Sequence, residues 1–265
     1  MTHSKLYTLE GIILSRRDHG EADRVITLLT ATGRSSLLAK GIRKPQSRKA
    51  GHLELFSRAT VLCSRVTGSW DIISQAEAQA IRFQLHQDMT RGAAARYVAE
   101  LALRLFEEDT DEALYTLVDN ALAWLERGDA PDPLLRWYEQ QILTLAGFRP
   151  DWSACVGERD DRQCERLLSP RPADSQPYGI DVERGGALCP DCWGAIRNAP
   201  AYEVSPARPL SPSALSWLQA FQRRAYAEVV QFTFPERTAN ELARVMEHYI
   251  TYYLERRPAT LKLLK

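Results

Sequence analysis

Four of the chain's five cysteines fall between Cys155 and Cys192, inside a stretch from Pro150 to Pro209 that is rich in proline, glycine and aspartate. An irregular segment of that length is uncommon within a folded domain and needs a staple to be ordered. The residues for a staple are present. Cys189, Pro190, Asp191 and Cys192 form a CxxC knuckle, a spacing that lets two thiolates reach a single zinc ion. Cys155 and Cys164 are the available second pair, separated from the knuckle by a loop of 24 residues. Eight residues lie between Cys155 and Cys164, wider than the usual spacing of about two to four. The expectation is one structural zinc held by all four; the alternatives are a knuckle that has lost its metal and a redox CxxC. A redox motif would call for a thioredoxin-like strand and helix around it, and the pattern shows none. Cys63, in the apolar run Val61, Leu62 and Cys63, reads as a small buried side chain.

The first eighty residues have a different period. Apolar residues cluster in five short runs, Tyr7 to Ser15, Arg24 to Thr30, Ser35 to Lys40, Ala59 to Val66 and Trp70 to Ala76. Gly11 reads as a bulge or bend, Thr32 and Gly33 as a hairpin turn, and Thr67 to Ser69 as another. Five such strands predict a small barrel of the OB type. From Asp88 onward the period becomes helical. Helices are predicted over Asp88 to Phe106, around Leu114 to Leu125 with a stop near Gly128, and around Leu134 to Leu145 with a stop near Gly147. Ser211 and Pro212 read as the cap and first turn of another, and a last helix is predicted from Glu236 to Glu255.

The chain therefore reads as α+β. A five-stranded OB-type barrel over residues 1–80 is followed by a mainly helical domain, in two parts over 81–149 and 210–265, with a zinc-ribbon-like insertion over 150–209. No apolar run approaches the ~20 residues needed to span a bilayer, so a cytoplasmic protein is expected.

Charge is balanced overall at 34 basic and 34 acidic side chains, yet Gly33 to Lys49 holds Arg34, Lys40, Arg43, Lys44, Arg48 and Lys49 without an acidic residue. A local cationic surface on a neutral protein can bind phosphate through its local field; the plainer reading is a solvated loop. Arg16, Arg17 and Arg24 are possible additions, and Trp70 and Phe56 are candidates for stacking on bases. No Ser, His and Asp constellation, no phosphate-binding P-loop and no HExxH stands out, and His3, His19, His52, His86 and His248 are scattered.

Together these runs resemble the bacterial RecO recombination-mediator family. The amino-terminal signature is carried by Gly20, Glu21, Ala22, Asp23 and Arg24, then Thr27 to Thr30 and Gly33. Ala39 to Lys44 and Ser47 resemble its basic turn, and Gly147, Phe148, Pro150, Ser169, Pro170, Gly185, Gly186, Leu188, Cys189 and Cys192 its zinc-binding insertion. In zinc-bearing members the first knuckle is a close CxxCG pair; here Glu158 stands where its second cysteine would be. Cys164 enters the ligand set on chemical grounds.

The resemblance implies a non-enzymatic DNA repair protein of the cytoplasm and nucleoid. It implies binding to single- and double-stranded DNA, strand annealing, and action with RecR to load recombinase onto strands coated by single-strand-binding protein (SSB). It also implies docking of the SSB C-terminal tail, for which Arg91, Arg96 and Arg104, or Arg223, Arg224 and Arg244, are candidate contacts. The competing class is a zinc-dependent hydrolase or nuclease using acids such as Asp160 and Asp161. A four-cysteine site leaves no coordination position open for water, which favours structure over catalysis.

Overall fold

The alternation of apolar and polar residues from Leu6 onward produces one long strand, β1 (Leu6–His19), that serves two neighbours in turn. Its first half pairs antiparallel with β4 (Arg58–Ser64) and its second half with β2 (Asp23–Thr30). The change of partner is accompanied by a register shift between Ile13 and Ser15, so the bulge lies at Leu14 rather than at Gly11. Gly11 has another role: a Cβ there would lie 2.4 Å from the Leu29 carbonyl oxygen, so only glycine allows this approach. β3 (Gly33–Ala39) forms the predicted hairpin with β2, and β5 (Ile72–Ala80) pairs with β4 and, in parallel, with β3 at Leu38 and Ile72. The order β1-β2-β3-β5-β4 closes into a barrel, as expected for an OB-type fold. In this computed structural model the described residues are 6–107, 111–159, 162–171, 176–199, 206–231 and 233–264.

Ile13, Ile26, Leu28, Leu37, Val61, Cys63 and Ile73 fill the barrel interior. Ile42 and Leu53 join them from the long connection between β3 and β4, which includes a 3-10 turn at Ala50–His52. Cys63 is fully buried, and burial pushes its thiol up to about 11. After β5 come α1 (Gln84–Gln87), α2 (Met89–Leu105) and α3 (Glu112–Arg127). Asp88 caps α2 by accepting from the Thr90 and Arg91 N–H groups, and Asp111 caps α3 through the Leu114 N–H. Gly128 ends α3 in the left-handed conformation.

Two compact units result, Met1–Asp129 with Thr260–Lys265, and Ala130–Ala259. Within the first, Arg82 is 5% exposed and donates to the Phe56 carbonyl and to the carboxylate and carbonyl of Asp119 on α3. Arg82→Met is therefore expected to cost about 3 kcal/mol, because it strands a largely desolvated carbonyl and carboxylate. Urea unfolding should show a lower midpoint with an unchanged slope.

In the second unit α4 (Pro131–Leu145) packs with α6 (Pro212–Arg223), α7 (Tyr226–Val229) and α8 (Glu236–Tyr253). Ser211 caps α6 as predicted, its Oγ accepting from the Ala214 N–H at 3.1 Å. The stretch between α4 and α6 is more regular than expected. It contains a hairpin of β6 (Glu158–Arg159) and β7 (Arg162–Gln163), a sheet of β8 (Tyr178–Asp181), β9 (Gly186–Leu188) and β10 (Arg208–Leu210), and α5 (Pro190–Arg197). Trp152, Ile180, Val182, Leu188 and Trp193 within it are buried. Strands of two to four residues are too short to display a period, which is why the pattern read as irregular. Side-chain amides bind it to the helices: Trp152 Nε1–H donates to Gln140 Oε1 at 2.9 Å, and Gln219 donates to the Trp152 carbonyl at 2.7 Å.

Candidate functional site

The thiol cluster is built by two local structures. On one side, Cys189 is the N-cap of α5, its Sγ accepting from the Cys192 N–H at 3.5 Å, so the CxxC knuckle is the first turn of that helix. On the other, the eight residues between Cys155 and Cys164 are taken up largely by the β6–β7 hairpin. The Cys164 N–H donates to the Gly157 carbonyl at 2.8 Å, so the hairpin returns Cys164 to the position a close CxxC pair would occupy. All four Sγ atoms lie within 4.8 Å of one another, with Cys164 and Cys189 at 4.0 Å. Tetrahedral zinc with Zn–S bonds of ~2.3 Å would separate its sulfurs by ~3.8 Å, so the donor set fits a single ion.

Backbone N–H groups hold the sulfurs in place. The Cys189 N–H donates to Cys155 Sγ at 3.1 Å and the Gly157 N–H does so at 3.4 Å. A Cβ on Gly157 would sit 2.8 Å from Cys192 Cβ, so this glycine allows the two halves of the cluster to meet. Cys155, Cys189 and Cys192 are buried, and burial raises the thiol pKa of Cys155 and Cys192. Cys164 is more open, and a backbone hydrogen bond from Arg166 lowers its pKa. Buried sulfurs at this spacing with no disulfide between them suit a cation that stabilises the deprotonated form. Asp160 and Asp161, considered above for catalysis, lie outside the described residues.

The basic segment is divided by the fold. Arg34, on β3, donates to the carbonyls of Leu103 and Phe106 at 2.9 and 3.2 Å and so closes the end of α2. Lys49 donates to the Ile73 carbonyl at 2.9 Å, and burial lowers its pKa. His52 accepts from the Ala78 N–H. These last two contacts lay the β3–β4 connection along β5. The exposed cations are Lys40, Arg43, Lys44 and Arg48. Arg43 faces Asp18 and the Gly20 carbonyl, both at 3.4 Å, while the side chains of Lys40, Lys44 and Arg48 have no ion pair or hydrogen bond among the described residues. Buried Ile42 anchors this run.

Arg16 is paired with Glu54 at 2.7 Å and Arg24 with Asp18 at 2.7 Å. Phe56 is 1% exposed and cannot stack on a base, whereas Trp70 is partly exposed. In the second unit a cavity of about 600 Å³ has Ile180, Leu210 and Val245 among its apolar lining and Arg208, Arg237 and Arg244 among its polar lining. Only Arg244 was singled out from the sequence. Arg208 reaches the cavity from β10, and no local pattern signals that placement. Arg223 instead donates to Ser153 Oγ and Arg224 pairs with Glu228. Arg91, Arg96 and Arg104 bond to Asp88, the Gly92 carbonyl and Glu100, each on or capping α2.

Residues 1–82 match the family model described as Recombination protein O N terminal, and residues 86–262 match Recombination protein O C terminal. A DNA repair protein RecO of Roseiflexus sp. (strain RS-1) is 33% identical over 261 residues, covering 98% of this chain and 85% of that protein. Another, of Symbiobacterium thermophilum, is 36% identical over 203 residues, covering 72% and 75%, and one of Pelotomaculum thermopropionicum is 30% identical over 254 residues, covering 95% and 91%. No described helix is long and apolar enough to cross a membrane.

Proposed function

The chain belongs to the RecO family of DNA repair and recombination proteins, and we propose that it is a non-catalytic recombination mediator. In this reading it binds single- and double-stranded DNA, anneals complementary strands and, with RecR, helps load recombinase onto SSB-coated DNA. The observation that carries the DNA-binding part is the set of four exposed cations, Lys40, Arg43, Lys44 and Arg48, on a connection whose Ile42 is buried in the barrel. Phosphates would meet charges held on a fixed base. Residues 1–80 would act as the nucleic-acid-binding domain. Residues 81–149 and 210–265 would form the helical part, and 150–209 the zinc-ribbon-like insertion. Four thiolates would fill the coordination shell of one structural zinc, which supports a structural role over metal-assisted hydrolysis.

The SSB C-terminal tail is acidic, as the resemblance implies, and a site for it needs an apolar pocket rimmed by positive charge; the cavity containing Arg208, Arg237 and Arg244 with an apolar lining has that chemistry. A tail peptide titrated at low salt, where attraction is least screened, should bind, and Arg237→Ala with Arg244→Ala should weaken it about tenfold, or ~1.4 kcal/mol. No binding by the wild-type protein would remove the docking role. For the function as a whole, the deciding experiment is annealing of complementary oligonucleotides by purified protein across a salt series. Acceleration that fades with salt supports the reading, and an uncatalysed rate at all salts overturns it.

A further inference from the structure

Residues of β1, β2 and β3 that lie across from one another share a face. Arg16, Ile26 and Leu37 are in register, and Ile26 and Leu37 lie in the barrel core. The neighbouring row of Arg17, Val25 and Leu38 therefore belongs to the outer face, where Val25 and Leu38 are themselves covered and Arg17 is exposed, and His19 follows Arg17 on that face. Leu38 also pairs with Ile72, which brings the turn between β4 and β5 to the edge of the same face. Trp70 stands on that turn. Its ring centroid lies 5.2 Å from that of His19, edge to face at 87°, and 5.9 Å from the Arg17 guanidinium carbon.

The turn that carries Trp70 is tied down by the next residue. Asp71 accepts from the Val66 N–H at 2.8 Å and from the Tyr7 hydroxyl, and its carbonyl accepts from the Leu38 N–H at 2.8 Å. A partly exposed indole on a braced turn, flanked by a guanidinium and an imidazole, is preorganised for a flat electron-rich partner. On the other side of His19, Asp18 and the Gly20 carbonyl hold Arg43. Arg43 and the His19–Trp70 pair thus both lie at the β1–β2 turn. In five-stranded barrels of this kind, the outer face of the second and third strands and the loops that follow strands one and four take oligonucleotides.

We propose that Trp70 is the stacking platform for an unpaired base, with Arg17 and His19 beside it and the neighbouring phosphates led toward Arg43 and Lys40. The inference rests on the DNA-binding reading above and adds a means of discrimination. A single strand offers free base faces, whereas in a duplex those faces are already stacked on one another.

Fluorescence anisotropy with a labelled oligo-dT and a hairpin duplex, for wild type, Trp70→Ala, Trp70→Phe and Arg17→Ala over a salt series, tests this. Trp70→Ala should weaken single-strand binding about tenfold and leave duplex affinity within about twofold. Its log-log salt slope should match wild type, because stacking releases no counterions, while Arg17→Ala should flatten the slope. Trp70→Phe should keep most of the affinity and lose part of the tryptophan quenching seen when oligo-dT binds wild type, a readout that a folding defect would not produce. Equal losses on single strand and duplex, a changed slope in Trp70→Ala, or undiminished affinity in that variant would each overturn the stacking role while DNA binding stood. Absence of binding by the wild-type protein would overturn both.

Discussion

Replacing Cys189 or Cys192 with Ser is expected to lower bound zinc from one ion per chain to nearly none and to open the segment between α4 and α6 to protease. Each sulfur is part of one cluster within 4.8 Å, and a site reduced to three thiolates and a hydroxyl loses most of its affinity. Structural zinc supplies roughly 10–16 kcal/mol in small zinc-finger peptides. Here Trp152, Ile180 and Trp193 are already buried among other residues, so the expected loss of stability is smaller, on the order of 4 kcal/mol. DNA binding by the barrel should survive, because the exposed cations and the thiols belong to different compact units. Elemental analysis of protein purified without chelator, paired with limited proteolysis, decides the matter. Much less than one zinc per chain in a wild-type protein that still resists protease would mean that the fold stands without metal.

Changing Lys40, Arg43, Lys44 and Arg48 together to Ala should reduce single-strand affinity several hundredfold at about 0.1 M salt. With a slope contribution of about 0.7 per phosphate contact, four lost contacts would flatten the log-log salt dependence by about 2.8. Arg34→Ala and Lys49→Ala form the contrast. Both side chains are committed to backbone carbonyls, so these substitutions should lower thermal stability and leave the salt slope nearly unchanged. If the quadruple variant kept the wild-type slope, the β3–β4 connection would be a barrel brace and nothing more.

The contrast between Arg34 and Lys40 shows where local reading stops. Both lie in a run without acidic residues, and composition cannot tell a cation that solvates from one that closes a helix. Arg34 points to the end of α2, whose carbonyls come from residues about seventy positions later. The insertion behaves the same way. The CxxC knuckle of Cys189 and Cys192 was visible by spacing, yet the gap between Cys155 and Cys164 became intelligible only once the β6–β7 pairing brought Cys164 beside Gly157. Phe56 and Trp70 were equivalent as aromatics until burial separated them.

Elements whose signal is local were therefore determined by the sequence itself. The β2–β3 hairpin follows from alternating residues around a short turn, and the capped helices from Asp88, Asp111 and Ser211 at their starts. The same holds for the change from strand to helix near residue 84 and the CxxC turn that begins α5. What depended on distant residues meeting was decided by the tertiary structure. Barrel closure through β1 and β4, the sorting of the basic run into braces and exposed charges, and the meeting of Trp70 with Arg17 and His19 all belong to that class. The physical reason is that backbone propensity and side-chain period act over a few residues, whereas burial and charge pairing are set by which segments the closed barrel and packed helices bring together.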